Sequence, residues 1–115
     1  MWKRKASTMK ELTKQHRVNG IYEDGIQQGG NFYPVEYITK YNSFSEFEES
    51  INGPYRDRPV MLEFYEPALK EIENLYQDGD IIYHYDDMGV PTVGRDIAFL
   101  SRNGNLADTV LIAMS

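Results

Sequence analysis

The sequence contains no cysteine among its 115 residues. This excludes disulfide bonds, thiolate metal ligands and thiol nucleophiles together, and it suits a reducing compartment. Long apolar runs are also missing, since no stretch approaches the roughly 18 apolar residues that span a bilayer. The basic N-terminal segment MWKRKASTMKELTKQHR is not followed by an apolar stretch, as it would be in a secretory signal. These absences predict a cytoplasmic protein without a membrane partner.

Sequence motifs of the common enzyme classes are missing as well. The glycines at positions 25, 29 and 30 are followed by Asn31 and Phe32, not by the Lys-Ser/Thr pair of a phosphate-binding loop. The chain has no HExxH metal motif and no serine in a nucleophile-elbow pattern. We therefore expect a protein that is not an enzyme and that needs no cofactor and no metal.

Cations are scarce outside the N-terminal segment. Residues 1–17 carry six lysines and arginines and one glutamate, whereas residues 41–90 carry twelve carboxylates and only three lysines and arginines. The whole chain has a net charge of −6, so its folded body is more acidic than this total indicates. Such a surface repels nucleic acid and anionic membranes, and it attracts basic proteins.

The hydrophobic pattern predicts an α+β fold, with a mainly antiparallel sheet of four to five strands and two to three helices on one face. Residues 1–7 are predicted to form a flexible basic tail, and residues 8–115 a single domain. Capping boxes at Thr8 with Glu11 and at Ser43 with Glu46 predict helices over about 9–18 and from Phe44 to Gly53. A further helix is expected to begin at Pro67, because proline suits the first helical position.

Strands are predicted over residues 32–41, 60–65, 81–85, 96–102 and 106–114, where β-branched and aromatic residues concentrate. The last two flank Asn103-Gly104, a strong hairpin signal. The glycine-rich segment 20–33 is interpreted as a loop or a loose hairpin.

The first candidate site is the set of carboxylates in the middle of the chain. Helix neighbours at i, i+3 or i, i+4 lie about 5–6 Å apart, and alternate strand residues lie about 6.6 Å apart. Phosphates along one DNA strand advance about 3.4 Å of axis per nucleotide, so carboxylates on such a scaffold can imitate a phosphate row. The expected partner-binding residues are Glu46, Glu48, Glu49, Glu66, Glu73, Asp78, Asp80, Asp86 and Asp87.

An alternative interpretation is that these carboxylates form ordinary solvated helix faces. Basic residues rarely interleave with them, and only Glu66 and Lys70 clearly have the i, i+4 spacing of an opposite-charge pair. This scarcity favours the binding of a basic partner.

The carboxylate-rich stretch SEFEES (Ser45–Ser50) and the DGD…YDD cluster (Asp78, Asp80, Asp86 and Asp87) resemble the charge layout of small bacterial DNA-mimic proteins. The resemblance covers composition over the whole chain and includes no diagnostic motif. It implies a protein that occupies the DNA-binding face of a nucleoid or regulatory protein.

The second candidate site is the predicted strand around His84. Alternation places Asp80, His84 and Asp86 on one face with Ile82, and an imidazole between two carboxylates can bind a metal or act as an Asp–His general base. The competing interpretation is a solvent-facing side of the strand on which His84 pairs with a neighbouring carboxylate.

The leading prediction is an acidic binding or inhibitor protein that occupies a basic partner, such as a histone-like or other DNA-binding protein, and binds no nucleic acid itself. An immunity protein or antitoxin that neutralises a basic toxin is the first alternative. A small metal-dependent enzyme that uses His84 with Asp80 or Asp86 is the alternative from another class.

Overall fold

The computed structural model describes residues 17–89 and 94–114. The elements, in chain order, are β1 (Gly20–Tyr22), β2 (Gly25–Gln28), β3 (Asn31–Pro34), β4 (Ile38–Tyr41), α1 (Phe44–Asn52), α2 (Pro59–Leu75), β5 (Ile81–Asp86), β6 (Arg95–Arg102) and β7 (Asn105–Met114). The predicted basic tail and residues 9–16 of the first predicted helix lie outside the described residues. Arg17 and Val18, the end of that predicted helix, are not helical.

Strands β1, β2 and β3 form a three-stranded antiparallel sheet. The interpretation of residues 20–33 as a loop or a loose hairpin therefore underestimates the order of this segment, which forms two consecutive hairpins.

The backbone of this small sheet requires a glycine at position 25. Its φ is 152°, and a Cβ atom there would lie 2.2 Å from the Tyr33 carbonyl oxygen. The missing side chain therefore permits the close approach of β2 to β3.

Strands β4, β5, β6 and β7 form a second antiparallel sheet in that order. The predicted Asn103-Gly104 hairpin between β6 and β7 is confirmed, with φ values of 55° and 81°. Positive φ at both central residues is the geometry that twisted hairpins favour. The single strand predicted over 32–41 is divided into β3 and β4, because Pro34 is followed by a 3-10 turn over Val35–Tyr37.

The two faces of the four-stranded sheet are covered by different layers. Both helices pack on one face, where Phe47, Ile72 and Ile82 are fully buried, as predicted for helices on one side. The three-stranded sheet covers the other face, where Tyr33 contacts the rings of Tyr85 and Phe99 at centroid distances of 4.9 Å and 5.0 Å. The α+β class is confirmed, with two sheets rather than the one sheet predicted.

The helix α1 begins where its capping box predicts. Ser43 Oγ accepts a hydrogen bond from the Glu46 backbone N–H at 3.1 Å, and Glu46 Oε2 accepts one from the Asn42 N–H at 3.1 Å. The first bond satisfies a backbone donor that the first helical turn leaves without a partner, and the second ties the Glu46 side chain to the residue before the cap.

The strand predicted over 60–65 is wrong, because α2 begins at Pro59 and runs without interruption to Leu75. Proline occupies the first helical position at Pro59 and not, as predicted, at Pro67. Pro67 lies inside the helix on its exposed side, where water can satisfy the carbonyl that loses its partner. None of the helices in the described parts of the chain is long and apolar enough to cross a membrane.

Candidate functional site

A groove with a volume of about 320 Å³ runs between the two helices. The side chains that line it recur three or four residues apart on each helix, with one further neighbour on α2, so each helix lines the groove with one face. The lining residues are Phe44, Glu48 and Asn52 from α1, and Leu62, Glu66, Leu69, Lys70 and Glu73 from α2. The groove therefore combines an apolar floor with polar and charged walls.

Carboxylates dominate the walls of this groove. Glu48, Glu66 and Glu73 are exposed. Lys70 is the one cation among the described residues that line the groove, and its Nζ lies 2.9 Å from Glu66 Oε1. Within the described ranges no ion pair involves Glu48 or Glu73. Three predicted partner-binding residues are thus brought together, and two of them have no cationic partner there.

The other two predicted glutamates of α1 are engaged locally. Glu46 completes the capping box described above, and Glu49 forms an ion pair with Arg56 in which both side chains are exposed. An exposed pair of this kind is screened by water and contributes little to stability. Both carboxylates are exposed, but neither lines the groove, and Asp78 is exposed beyond the end of α2.

Asp80 was predicted to face a partner, and the structure corrects this. Its exposed fraction is 1%, and it accepts hydrogen bonds from Arg102 Nε at 2.9 Å, Arg102 Nη2 at 2.7 Å and the Gln77 N–H at 2.9 Å. The bonds from Arg102 hold the pKa of Asp80 below its ordinary value. Asp80 is therefore an internal anchor between the α2–β5 connection and β6, and it is not available to a partner.

Asp86 and Asp87 lie together at the end of β5 but differ in environment. Asp86 is exposed, and its Oδ1 accepts a hydrogen bond from the Met88 N–H at 3.0 Å. Asp87 accepts hydrogen bonds from the Tyr85 hydroxyl and the Arg95 N–H. Burial alone would raise the pKa of Asp87, but these hydrogen bonds outweigh it and lower the pKa. Asp87 therefore holds β5 to β6, and neither residue lines the groove.

The partners of His84 also differ from the prediction. His84 Nε2 contacts Asp96 Oδ1 on β6, and not Asp80. The register of the two strands places Asp86 directly opposite Asp96, so both carboxylates share the helix-covered face with the imidazole. The side chain of His84 is 11% exposed, and its ring packs edge-on against Phe47. His84 is therefore not solvent-facing as that interpretation had it, whereas its pairing with a nearby carboxylate is confirmed.

Tyr65 of α2 is influenced by this cluster, and Tyr55 stacks on the Tyr65 ring. Burial raises the pKa of Tyr65, and the neighbouring Tyr55, Asp96 and Asp86 raise it further. The rings of Tyr55 and Tyr65 stack with their centroids 5.8 Å apart. The charges of both aspartates therefore act on the hydroxyl of Tyr65.

Comparison of the chain with protein-family models, with curated proteins and with solved structures finds no match.

Proposed function

We propose that this protein is a binding protein that takes up a basic protein partner on its helical layer, with the groove between α1 and α2 at the centre of the contact. The observation that supports this most is the one-sided distribution of charge. Residues 44–79, which form the helical layer, carry nine exposed carboxylates and three exposed cations. The small sheet on the opposite face, residues 17–37, carries three carboxylates, of which Asp24 is paired with Arg17.

The groove supplies two kinds of contact that suit lysine and arginine. These side chains have apolar stems and cationic ends, so they bury best where an apolar surface is bordered by carboxylates. Phe44, Leu62 and Leu69 offer the apolar surface, while Glu48 and Glu73 stand beside it without an ion-pair partner among the described residues. The negative field of the whole layer also accelerates the approach of a positively charged protein.

A nucleic-acid-binding protein is the partner that we propose, because its DNA-binding face concentrates lysine and arginine. Glu66 and Glu73 are two helical turns apart on α2, about 10 Å along its axis, and Glu48 lines the same groove from α1. These negative charges at fixed positions would stand in place of phosphates. The protein would then act as an inhibitor by occupying the face that binds DNA. Its place of action in this proposal is the cytoplasm.

The proposal predicts a salt-sensitive complex that excludes DNA. Immobilised full-length protein should capture a DNA-binding protein from an extract of its native cell at about 0.1 M salt and release it at about 1 M, because the Debye length falls from about 10 Å to about 3 Å. Duplex DNA added at low salt should displace the captured protein. The readout is the amount of the captured protein, identified by mass spectrometry, at each salt concentration.

Three results would contradict this proposal. Capture that is undiminished at the higher salt concentration would show that charge does not hold the complex together. A captured protein that binds DNA and this chain at the same time would show that a different face is occupied. Recovery of a basic toxin in place of a DNA-binding protein would also contradict it, and would favour the alternative of an immunity protein that binds the toxin through the same surface.

A further inference from the structure

We infer that His84, Asp86 and Asp96 form a binding site for a divalent transition-metal cation, with Zn²⁺ as the preferred ion. One ligand atom from each of the three side chains lies within 4.8 Å of the others. The site is on the face of the four-stranded sheet near Tyr65 of α2, and it is separate from the groove that carries the proposed function.

The backbone places these three ligands with little freedom. His84 and Asp86 are two residues apart on β5, so they point to the same face. Asp96 is the direct cross-strand neighbour of Asp86 on β6. Because strand pairing fixes all three Cα positions, a metal ion would meet ligands that are already close together.

Two carboxylates, those of Asp86 and Asp96, lie directly opposite each other on paired strands, which is an unfavourable arrangement. Carboxylates directly opposite each other on paired strands repel and destabilise the sheet, and Asp96 is 5% exposed, which weakens screening by water. No lysine or arginine within residues 17–89 and 94–114 forms an ion pair with Asp86 or Asp96. A divalent cation would remove this repulsion, whereas His84 alone can offset at most one of the two negative charges.

The donor set determines which cation fits. One imidazole nitrogen and two carboxylate oxygens suit Zn²⁺ better than Mg²⁺ or Ca²⁺, which favour oxygen ligands throughout. Three protein ligands leave a fourth position for water, the arrangement of open zinc sites. Asp86 is exposed, and its hydrogen bond from the Met88 N–H uses Oδ1, which leaves Oδ2 for the ion. His84 Nε2 and Asp96 Oδ1 contact each other, and the ion would take the place of that contact.

Zinc alone is the probe that tests this site. Full-length protein is treated with a chelator, the chelator is removed, and Zn²⁺ is added during isothermal titration calorimetry. We expect one ion per chain, and a melting temperature that rises by about 5 °C at saturating Zn²⁺, because a ligand that binds only the folded state stabilises it. Mg²⁺ at the same concentration should cause a much smaller shift.

The Zn²⁺ affinities of substituted proteins distinguish binding at this site from unspecific binding of Zn²⁺ to an acidic surface. His84→Gln and Asp86→Asn should each weaken Zn²⁺ binding by at least about 100-fold, since the loss of even a residue that orients a ligand costs about 10–100-fold. Asp86 is exposed, so the second variant is expected to keep the fold. Asp78→Asn removes an exposed carboxylate elsewhere and should bind Zn²⁺ as the unmodified protein does.

The inference would be overturned by either of two outcomes. One is the absence of a one-to-one Zn²⁺ complex in the unmodified chain. The other is a complex that Asp86→Asn and Asp78→Asn retain equally, which would mark the binding as diffuse. Neither outcome bears on the groove, so the proposed function is tested independently.

Discussion

Replacing Phe47 with alanine is expected to lower the free energy of unfolding by about 4 kcal/mol, the upper range for large-to-small changes in a core. Phe47 is fully buried, and together with Ile51 it packs α1 against the sheet. Its ring contacts those of Tyr41 and His84 at centroid distances of 5.7 Å and 5.3 Å. The substitution removes these contacts and leaves a cavity that the short helix cannot close.

Phe64→Ala is the matched control for this prediction. Phe64 undergoes the same chemical change, but it is 55% exposed on α2. Its substitution should cost less than about 1 kcal/mol, in line with surface positions in general. Urea denaturation followed by circular dichroism measures both values. Equal destabilisation by the two variants would show that α1 does not pack on the sheet as described.

Replacing Asp80 with asparagine is expected to destabilise the protein by about 2 kcal/mol at neutral pH, because it weakens two charge-assisted hydrogen bonds to a buried carboxylate. The loss stays moderate because the Arg102 side chain is 30% exposed and keeps Asp108 at 3.8 Å. Arg102 would then keep its charge without the carboxylate that now accepts two of its hydrogen bonds. Asp78→Asn is the control, since Asp78 is exposed and lies two residues earlier. It should change stability by less than about 0.5 kcal/mol.

The same ion pair gives a specific dependence on pH. Hydrogen bonds from Arg102 lower the pKa of Asp80 in the folded state below its ordinary value of 3.8. The contribution of the pair is therefore fully present above that value and is lost as the pH falls through the lower, folded-state pKa. The stability difference between the unmodified protein and Asp80→Asn should be constant from pH 5 to pH 7 and should shrink below pH 4. A difference that stays constant into strong acid would contradict the assignment.

The sequence predicts those elements of this fold that depend on local signals. Ser43 and Glu46 define the start of α1, and Asn103-Gly104 defines the last hairpin, because capping and turn chemistry act over a few residues. For the run from Val60 to Tyr65 the local pattern predicts a strand wrongly, because short apolar runs occur both in buried strands and in helices. Only the continuation of the apolar stripe beyond Pro67 shows that the segment is helical.

The candidate site likewise has a part that local sequence patterns predict and a part that depends on tertiary packing. Glu48, Glu66 and Glu73 were predicted as partner-binding residues from their charge and helical spacing, and the structure places them around one groove. The apolar floor depends on how α1 packs against α2, which no local pattern specifies. Asp96 was missed as the neighbour of His84 because the register of β5 and β6 is set across a connection that the sequence marks only as a loop.

Charge reversal in the groove tests the central claim most directly. The double variant Glu48→Lys/Glu73→Lys changes two groove carboxylates, whereas Glu23→Lys/Glu36→Lys changes two exposed carboxylates on or beside the small sheet. Both variants alter the net charge equally, so a difference between them reports the position of the charge and not its amount.

The measurement is the dissociation constant of each variant for the purified DNA-binding protein recovered by capture. We expect the groove variant to bind on the order of 100-fold more weakly, because like charges that face each other in an interface cost several kcal/mol. The small-sheet variant should bind within about threefold of the unmodified protein. Equal weakening by both variants, or undiminished binding by the groove variant, would contradict a basic partner held on the helical layer.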